Sequence, residues 1–249
     1  MSNELSLEEF LLRASDEFAD GGWVFTGFNL PVLAARLARR LGHADFTQVL
    51  EAGAAIDQDT EMLLTSTTDY FQVAPVTCYR GTTADVMFGV VPRCRRVLID
   101  AANVDVRGRT NSTVIGDWAQ PKVRLPGGGG GPDAAFRARH LVLLHAGTQL
   151  ERVVGKVDSV TTAPAHDATV RLLTRWGTLC LGAQPRLEVL KEDEGAEEFL
   201  RAMKILGVDV ESWLPVAPRT HEEYAHARSV LMEAHSAGYT LGRPYAPIN

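Results

Sequence analysis

Three changes of hydrophobic period within the first fifty or so residues constrain the fold more than any other feature of the chain. A capping box at Ser6-Leu7-Glu8-Glu9 opens a helix that ends before Gly21-Gly22. Trp23-Val24-Phe25-Thr26 is a short apolar strand. It runs into Gly27-Phe28-Asn29-Leu30-Pro31, where Asn29 is placed to cap a helix and Pro31 suits its first turn. Leu30, Leu33, Ala34, Leu37, Ala38 and Leu41 then recur in steps of three and four, which predicts a helix closing at Gly42. Arg36, Arg39 and Arg40 fall off that stripe and read as a solvated or partner-contacting face. Thr47-Gln48-Val49-Leu50-Glu51 returns to strand and halts at Ala52-Gly53. Helix, strand, helix, strand in so short a span is the rhythm of a parallel sheet covered by helices.

The remainder of the chain continues in the same style. Strands are expected over 96–102, 140–145, 169–174, 178–183 and 187–191, and amphipathic helices over 194–206 and 220–235. No repeat and no Pro- or Ser-rich linker divides the 249 residues, so the expectation is one α/β domain over 1–249. With 45% hydrophobic and 22% charged residues the chain has the composition of a folded protein, which excludes a disordered one. Its net charge of −6, without any block of like charges, argues against nucleic acid as a partner. The longest apolar stretches fall far short of the about twenty residues that cross a membrane, and the acidic N-terminus lacks the order of a signal peptide. A cytoplasmic protein with no membrane association is expected.

Several common chemistries find no support. Cys78, Cys94 and Cys180 form no C-x-x-C pair and are odd in number, against a disulfide framework or a cysteine zinc site. Arg93, Arg95 and Arg96 around Cys94 could lower its thiol pKa, but a small buried hydrophobe is the reading adopted, and no role is assigned. His221 and His226 resemble the H-E-x-x-H signature with one residue too many, which places the two imidazoles about 140° apart on a helix. His140 and His145, also five apart, point to opposite faces of a strand. No metal site is expected, and no G-x-S-x-G elbow supports a serine hydrolase.

Two features remain. Gly127 to Gly131 is a run of five glycines between Pro126 and Pro132. Such a run also suits a flexible linker, but inside a domain it reads as a loop whose N–H groups approach a ligand or a forming oxyanion. It matches neither the dinucleotide fingerprint nor a phosphate loop. Glu51 ends a predicted strand and is followed by the small residues Ala52-Gly53-Ala54-Ala55. Ligands of open α/β sheets gather beyond the carboxyl ends of strands, and small neighbours leave a bulky substrate room to reach the carboxylate.

These segments, taken in order, resemble the family I CoA-transferase β subunit, most closely its glutaconate CoA-transferase branch. Residues 97–113, VLIDAANVDVRGRTNST, and 115–131, IGDWAQPKVRLPGGGGG, are similar to that branch's G-A-x-Q-x-D…G-N-x-N-x-T…I-G-D…P-K-x-R…G-x-G-G-A succession. Gly27-Phe28-Asn29-Leu30-Pro31 resembles its G-x-G-x-P loop, and Glu51-Ala52-Gly53 its E-S-G. Residues 156–162, KVDSVTT, resemble K-x-D-x-V-T-S, and 207–211, GVDVE, its G-F-D-L segment. The resemblance spans nearly the whole chain.

It implies a fold of the CoA-transferase (NagB/RpiA-like) type and a glutamate nucleophile at Glu51. That glutamate attacks an acyl-CoA thioester, collects the CoA as a glutamyl thioester and passes it to a second carboxylic acid. Gly128, Gly129 and Gly130 then become the oxyanion and CoA-binding loop, and Gly27, Asn29, Gly53 and Asn103 substrate-pocket candidates. The implied partners are an α-type subunit, acyl-CoA and a carboxylic acid, with the CoA thioester a substrate rather than a permanently bound cofactor. The chain departs from the pattern at Asn29 (second glycine of the first loop), Asp100 (glycine), Asn103 (glutamine) and Gly131 (alanine). Two further expectations therefore run in parallel: an acyl-CoA hydrolase or decarboxylase on the same fold, and a non-catalytic ligand-binding subunit. The intact Glu51 favours transfer.

Overall fold

The computed structural model describes residues 7–43, 45–192 and 195–240, so Ser6 of the expected capping box and Glu194 of an expected helix lie outside the described residues. The chain divides into two compact units, one made of Leu7–Ile99 with the stretch from Pro218, the other of Asp100–Ala217.

The first unit contains α1 (Leu7–Asp16), β1 (Gly22–Thr26), α2 (Leu30–Arg40), β2 (Phe46–Leu50), β3 (Ala54–Ile56), α3 (Tyr70–Val73), β4 (Thr77–Arg80) and β5 (Arg96–Asp100). Its strands lie in the order β5-β1-β2-β3-β4. β1 pairs in parallel with both β2 and β5, because α2 returns the chain to the end at which β1 began. β2, β3 and β4 pair antiparallel, as the three-residue turn between β2 and β3 requires. Phe10, Leu11, Leu33, Leu37 and Val49 are fully buried, each worth about 1.5–3 kcal/mol of burial. Phe18 and Phe46 meet with ring centroids 4.7 Å apart. α1 and α2 pack on each other and on the C-terminal helix, His221–Ser236. That helix starts from a capping box in which the Thr220 hydroxyl accepts from the Glu223 amide at 3.2 Å and the Glu223 carboxylate accepts from the Thr220 amide at 2.7 Å.

Arg36 corrects the reading of a solvated basic face. It is 7% exposed, because the C-terminal helix covers the side of α2 that the sequence leaves polar. Its guanidinium pairs with Asp59 at 2.8 Å and Glu233 at 2.9 Å and donates to the Thr60 carbonyl at 2.5 Å. Arg39 lies 4.1 Å over the Phe46 ring and donates to the carbonyls of Asp57 and Ile56. Arg40 pairs with Glu233. All three are engaged inside the unit. Arg96 is likewise held by Glu17 and Asp20.

The second unit contains β6 (Val104–Asp105), β7 (Val114–Gly116), β8 (Pro121–Arg124), α4 (Gly131–Arg137), β9 (His140–His145), β10 (Val153–Val154), β11 (Thr169–Thr174), β12 (Gly177–Leu181), β13 (Arg186–Leu190), α5 (Ala196–Ile205) and β14 (Leu214–Pro215). Its main strands lie in the order β14-β13-β12-β11-β9. β9 and β11 run parallel over six residues, β11-β12-β13 is an antiparallel meander, and β14 joins β13 in parallel. Two small ribbons, β6 with β10 and β7 with β8, complete the pairing. The expected α/β class holds, with parallel pairs extended by hairpins. His140 is exposed and His145 buried, as their odd separation on one strand demands.

Candidate active site

Glu51 leaves the carboxyl end of β2 as the first residue of a tight turn. Leu50 faces Ala54 across the β2–β3 pair, so only Glu51, Ala52 and Gly53 make the reversal. The Gly53 amide closes it on the Leu50 carbonyl at 3.2 Å. Gly53 holds φ +104°, where a side chain is strained, and a Cβ there would collide with the Gly81 carbonyl oxygen. The Gly81 amide donates in return to the Gly53 carbonyl at 2.7 Å. Glu51 is half-buried, and Ala52 beside it is exposed.

Gly27 emerges beside it. Thr26 is in register with Leu50, so Gly27 and Glu51 are the first residues beyond the carboxyl ends of neighbouring parallel strands. The Gly27 amide donates to the Leu98 carbonyl at 2.9 Å, and a Cβ at Gly27 would lie 3.4 Å from that same oxygen. Beneath them Gln48 donates to the Thr26 hydroxyl at 2.9 Å, a buried cross-strand bond that ties the two strands together. Asn29 occupies the cap position of α2, but its side chain makes no capping hydrogen bond. Its backbone, at φ 72° and ψ −120°, explains why: the residue is fitted to a glycine-like turn rather than to the extended geometry of a side-chain cap.

In the second unit the matched motifs are cross-linked. Fully buried Asn111 accepts from the amides of Thr113 and Val114, both at 3.1 Å, and donates to the Val114 carbonyl at 2.6 Å. Thr161 accepts from the Ser112 amide at 2.9 Å and shares a hydrogen bond with Thr113 at 2.7 Å. Asp158 accepts from the Gly116 amide at 2.8 Å. Buried Asp105 pairs with Arg109 at 2.6 Å and accepts from the Arg107 and Arg109 amides. The residues 103–117 and 156–162 thus form one ledge.

The glycine run hangs from that ledge. The Gly127 amide donates to the Ser112 carbonyl at 2.7 Å, and the Gly131 amide to the Gly128 carbonyl at 2.8 Å. A Cβ on Gly128 would stand 2.8 Å from Thr161 Cγ2 and 2.9 Å from Pro132 Cδ. Gly129 has φ +52°, whereas Gly130, at φ −80°, sits at the start of α4 in an ordinary helical conformation. Among the described residues the amides of Gly128 and Gly129 have no hydrogen-bond partner. A linker would not be bonded at both ends and packed at its middle.

Known proteins resemble this chain in sequence and in fold. No protein-family model matches the chain. It is 31% identical over 156 residues to the β subunit of the 3-oxoadipate CoA-transferase of Pseudomonas knackmussii, covering 58% of this chain and 55% of that one. It is 26% identical over 166 residues to the β subunit of the glutaconate CoA-transferase of Acidaminococcus fermentans, covering 65% and 61%. The match therefore spans little more than half the length of these curated relatives. In three dimensions it resembles the glutaconate CoA-transferase of Acidaminococcus fermentans with a TM-score of 0.76 at 18% identity, over 91% of this chain and 95% of that one. The decarboxylase AibA/AibB is similar with a TM-score of 0.74 at 24% identity over the same shares.

In sequence the chain is similar to part of these CoA-transferase subunits, and in fold to glutaconate CoA-transferase. Of the expected site residues, Glu51, Gly53, Gly27 and Asn29 lie in the first unit, and Asn103 with Gly128 to Gly130 in the second. The structure brings Glu51 and Gly53 into one turn, with Gly27 on the adjoining strand end. Asn103 is 8% exposed and donates its amide to the Arg152 carbonyl at 2.8 Å, so that donor is already committed. Its neighbours Gln149, Arg152 and Lys156 line a cavity of about 330 Å³ with it. Asp100 ends β5 half-buried.

One feature was missed from sequence. Beside the Glu51 turn lies a cavity of about 380 Å³, lined by Ala52, Gly53 and Ala54 on the turn and by Thr67, Tyr70 and Arg80 among others. Arg80 comes there because it faces Ala54 across the β3–β4 pair. β3 has three residues and β4 four, too short for a periodic signal, so nothing in the sequence linked Arg80 to Glu51.

Proposed function

We propose that this chain is the β subunit of a two-chain acyl-CoA:carboxylate CoA-transferase that works through a glutamyl-CoA thioester on Glu51, with its two units making one subunit over 1–249. The observation that carries the reading is the Glu51 turn at the carboxyl end of β2, held by Gly53 and flanked by Gly27. The Glu51 carboxylate attacks the thioester carbonyl, forming an acyl-glutamyl anhydride and expelling CoA thiolate. The thiolate attacks the glutamyl carbonyl and releases the first carboxylate. The acceptor acid then reverses both steps, so the thioester's energy is conserved and no cofactor is consumed. Each addition creates an oxyanion, for which one backbone donor is worth about 3–4 kcal/mol; the resemblance, not a measured approach to Glu51, assigns that part to the loop Gly128 to Gly130.

An α-type chain, acyl-CoA and a carboxylic acid are the partners of this reading, and the cytoplasm its location. A CoA ester is large, and Arg36, Arg39, Arg40 and Arg96 are engaged within the chain, which leaves the nucleotide end to the second subunit. The test is to co-express the pair, incubate with acyl-CoA and reduce with borohydride. A reduced side chain at Glu51 in the mass spectrum is expected; an unmodified Glu51 peptide in a complex that is turning over removes the mechanism. The likeness to a decarboxylase favours one alternative, decarboxylation of an acyl-CoA, which a separate measurement of carbon dioxide released by the same complex reports.

A further inference from the structure

We infer that the cleft between Trp23, Tyr79 and Phe88 is a binding site for an aryl carboxylate, a flat aromatic ring that bears one acid group. The inference does not depend on the function proposed above, and it concerns a place apart from the Glu51 turn.

The cleft has a volume of about 700 Å³, within the range of about 300–1,000 Å³ typical of small-molecule sites. Trp23 is in register with Thr47, three residues short of Thr26 and Leu50 at the strand ends, which is about 10 Å along the sheet. Tyr79 and Arg80 are consecutive on β4 and therefore point to opposite faces. Arg80 lines the cavity beside the Glu51 turn, which leaves Tyr79 and this cleft on the other face.

Three aromatic side chains converge there. The Trp23 and Tyr79 rings stand 5.9 Å apart at 71°, edge to face, and both Trp23 and Phe88 are exposed. Aromatic surface so arranged favours a flat ring, which can stack on one face and meet another edge-on. Phe88 and Gly89 belong to a π-helix, Asp85–Val90, a rare widened turn that recurs at functional sites. The wall is open beside Gly89, where a Cβ would meet nothing within 4 Å.

The polar groups of the cleft select the charge. Arg93 lines it, donates to the Gly89 carbonyl, and among the described residues has no carboxylate partner. Asp85, the acid lining the cleft, is occupied: it accepts from the amide and the hydroxyl of Thr82, both at 2.8 Å. One guanidinium fork is thus left for the ligand, and its planar geometry matches a carboxylate. A polyphosphate suits the cleft poorly, because a single arginine beside a carboxylate supplies too little positive charge.

The test is calorimetric titration of the full chain with β-naphthoate and with its neutral counterpart, β-naphthamide. Wild type should bind the acid more tightly than the amide. Arg93→Met should weaken binding of the acid by about 10-fold and leave the amide unchanged, as expected for loss of a charge-assisted hydrogen bond. Gly89→Leu should weaken both, since its side chain enters the open wall. Its melting temperature should hold or rise, because glycine is a poor helix former. No saturable binding of β-naphthoate to wild type, or equal affinity in wild type, Arg93→Met and Gly89→Leu, overturns the inference. Displacement of β-naphthoate by ADP also overturns it, by assigning the cleft to a nucleotide.

Discussion

Gly53 and Gly81 meet backbone to backbone: the Gly81 amide donates to the Gly53 carbonyl at 2.7 Å, and a methyl group on Gly53 would strike the Gly81 carbonyl oxygen. The contact sets how closely β4 can approach the turn that carries Glu51. Gly53→Ala should therefore cost about 2 kcal/mol or more, from the positive φ and the collision together. Urea unfolding measures the loss. Borohydride trapping at Glu51 should drop further than the folded fraction does. A Gly53→Ala variant with wild-type stability and labelling would show that the turn tolerates a wider spacing.

The glycine run separates into unequal positions. As a sequence, Gly128, Gly129 and Gly130 read alike; the structure places the requirement for glycine at Gly128 and Gly129. Gly128→Ala must push Thr161 or Pro132 aside, Gly129→Ala must hold φ +52°, and Gly130→Ala enters a helical conformation that any residue accepts. Activity of the complex should fall steeply for the first, by a smaller factor for the second, and little for the third. Melting temperatures measured alongside separate unfolding from loss of chemistry.

Glu51→Ala should abolish CoA transfer. Glu51→Asp withdraws the carboxylate by about one methylene and should lose about 100-fold or more, since a misplacement near 1 Å has that effect on an oriented reaction. Single-turnover rates with acyl-CoA read this directly. Robust transfer by Glu51→Ala would assign the nucleophile elsewhere.

Acid stability should depend on Arg36. Burial by itself would raise the Glu233 carboxyl, but hydrogen bonds and charge from Arg36 and Arg40 outweigh it and hold the group below the usual carboxylate range. A depressed folded pKa means that the contribution to stability is complete above the ordinary value of 4.5 and is lost as pH falls through the lowered one. Arg36→Leu should cost about 2–4 kcal/mol near neutrality, by leaving Asp59 and the Thr60 carbonyl without their cation and Glu233 with Arg40 alone. It should also flatten the decline of stability below about pH 4.5. Chemical unfolding at pH 7 and pH 4 distinguishes the two effects.

Burial pushes the Cys94 thiol up to about 12, so its arginine neighbours in sequence do not activate it. Iodoacetamide at pH 8 should leave Cys94 unmodified in the native chain and label it only after unfolding. Rapid native alkylation would contradict its burial.

How much of this was legible in advance depends on how local each feature is. The β1–α2–β2 unit is written in periods of two and three to four residues, so its limits came out within a residue of expectation; β9 and β11 are buried runs bounded by polar residues, and their limits came out as expected. The motif series from Asn111 to Thr161 was readable as a resemblance before its hydrogen bonds were known. The cap at Asn29 was not, because its backbone angle depends on how α2 is set against β1.

The sequence by itself determined the α/β class, the position of Glu51 at a strand end and the presence of a glycine loop, since each follows from residue types within a few positions. Tertiary structure alone decided the rest. A charge off the apolar stripe of one helix becomes buried when a helix nearly two hundred residues later covers it, as Glu233 does for Arg36. An arginine on a four-residue strand reaches the neighbourhood of Glu51 because strand register, which joins residues distant in sequence, sets Arg80 opposite Ala54. Local periodicity carries no record of which surfaces will meet.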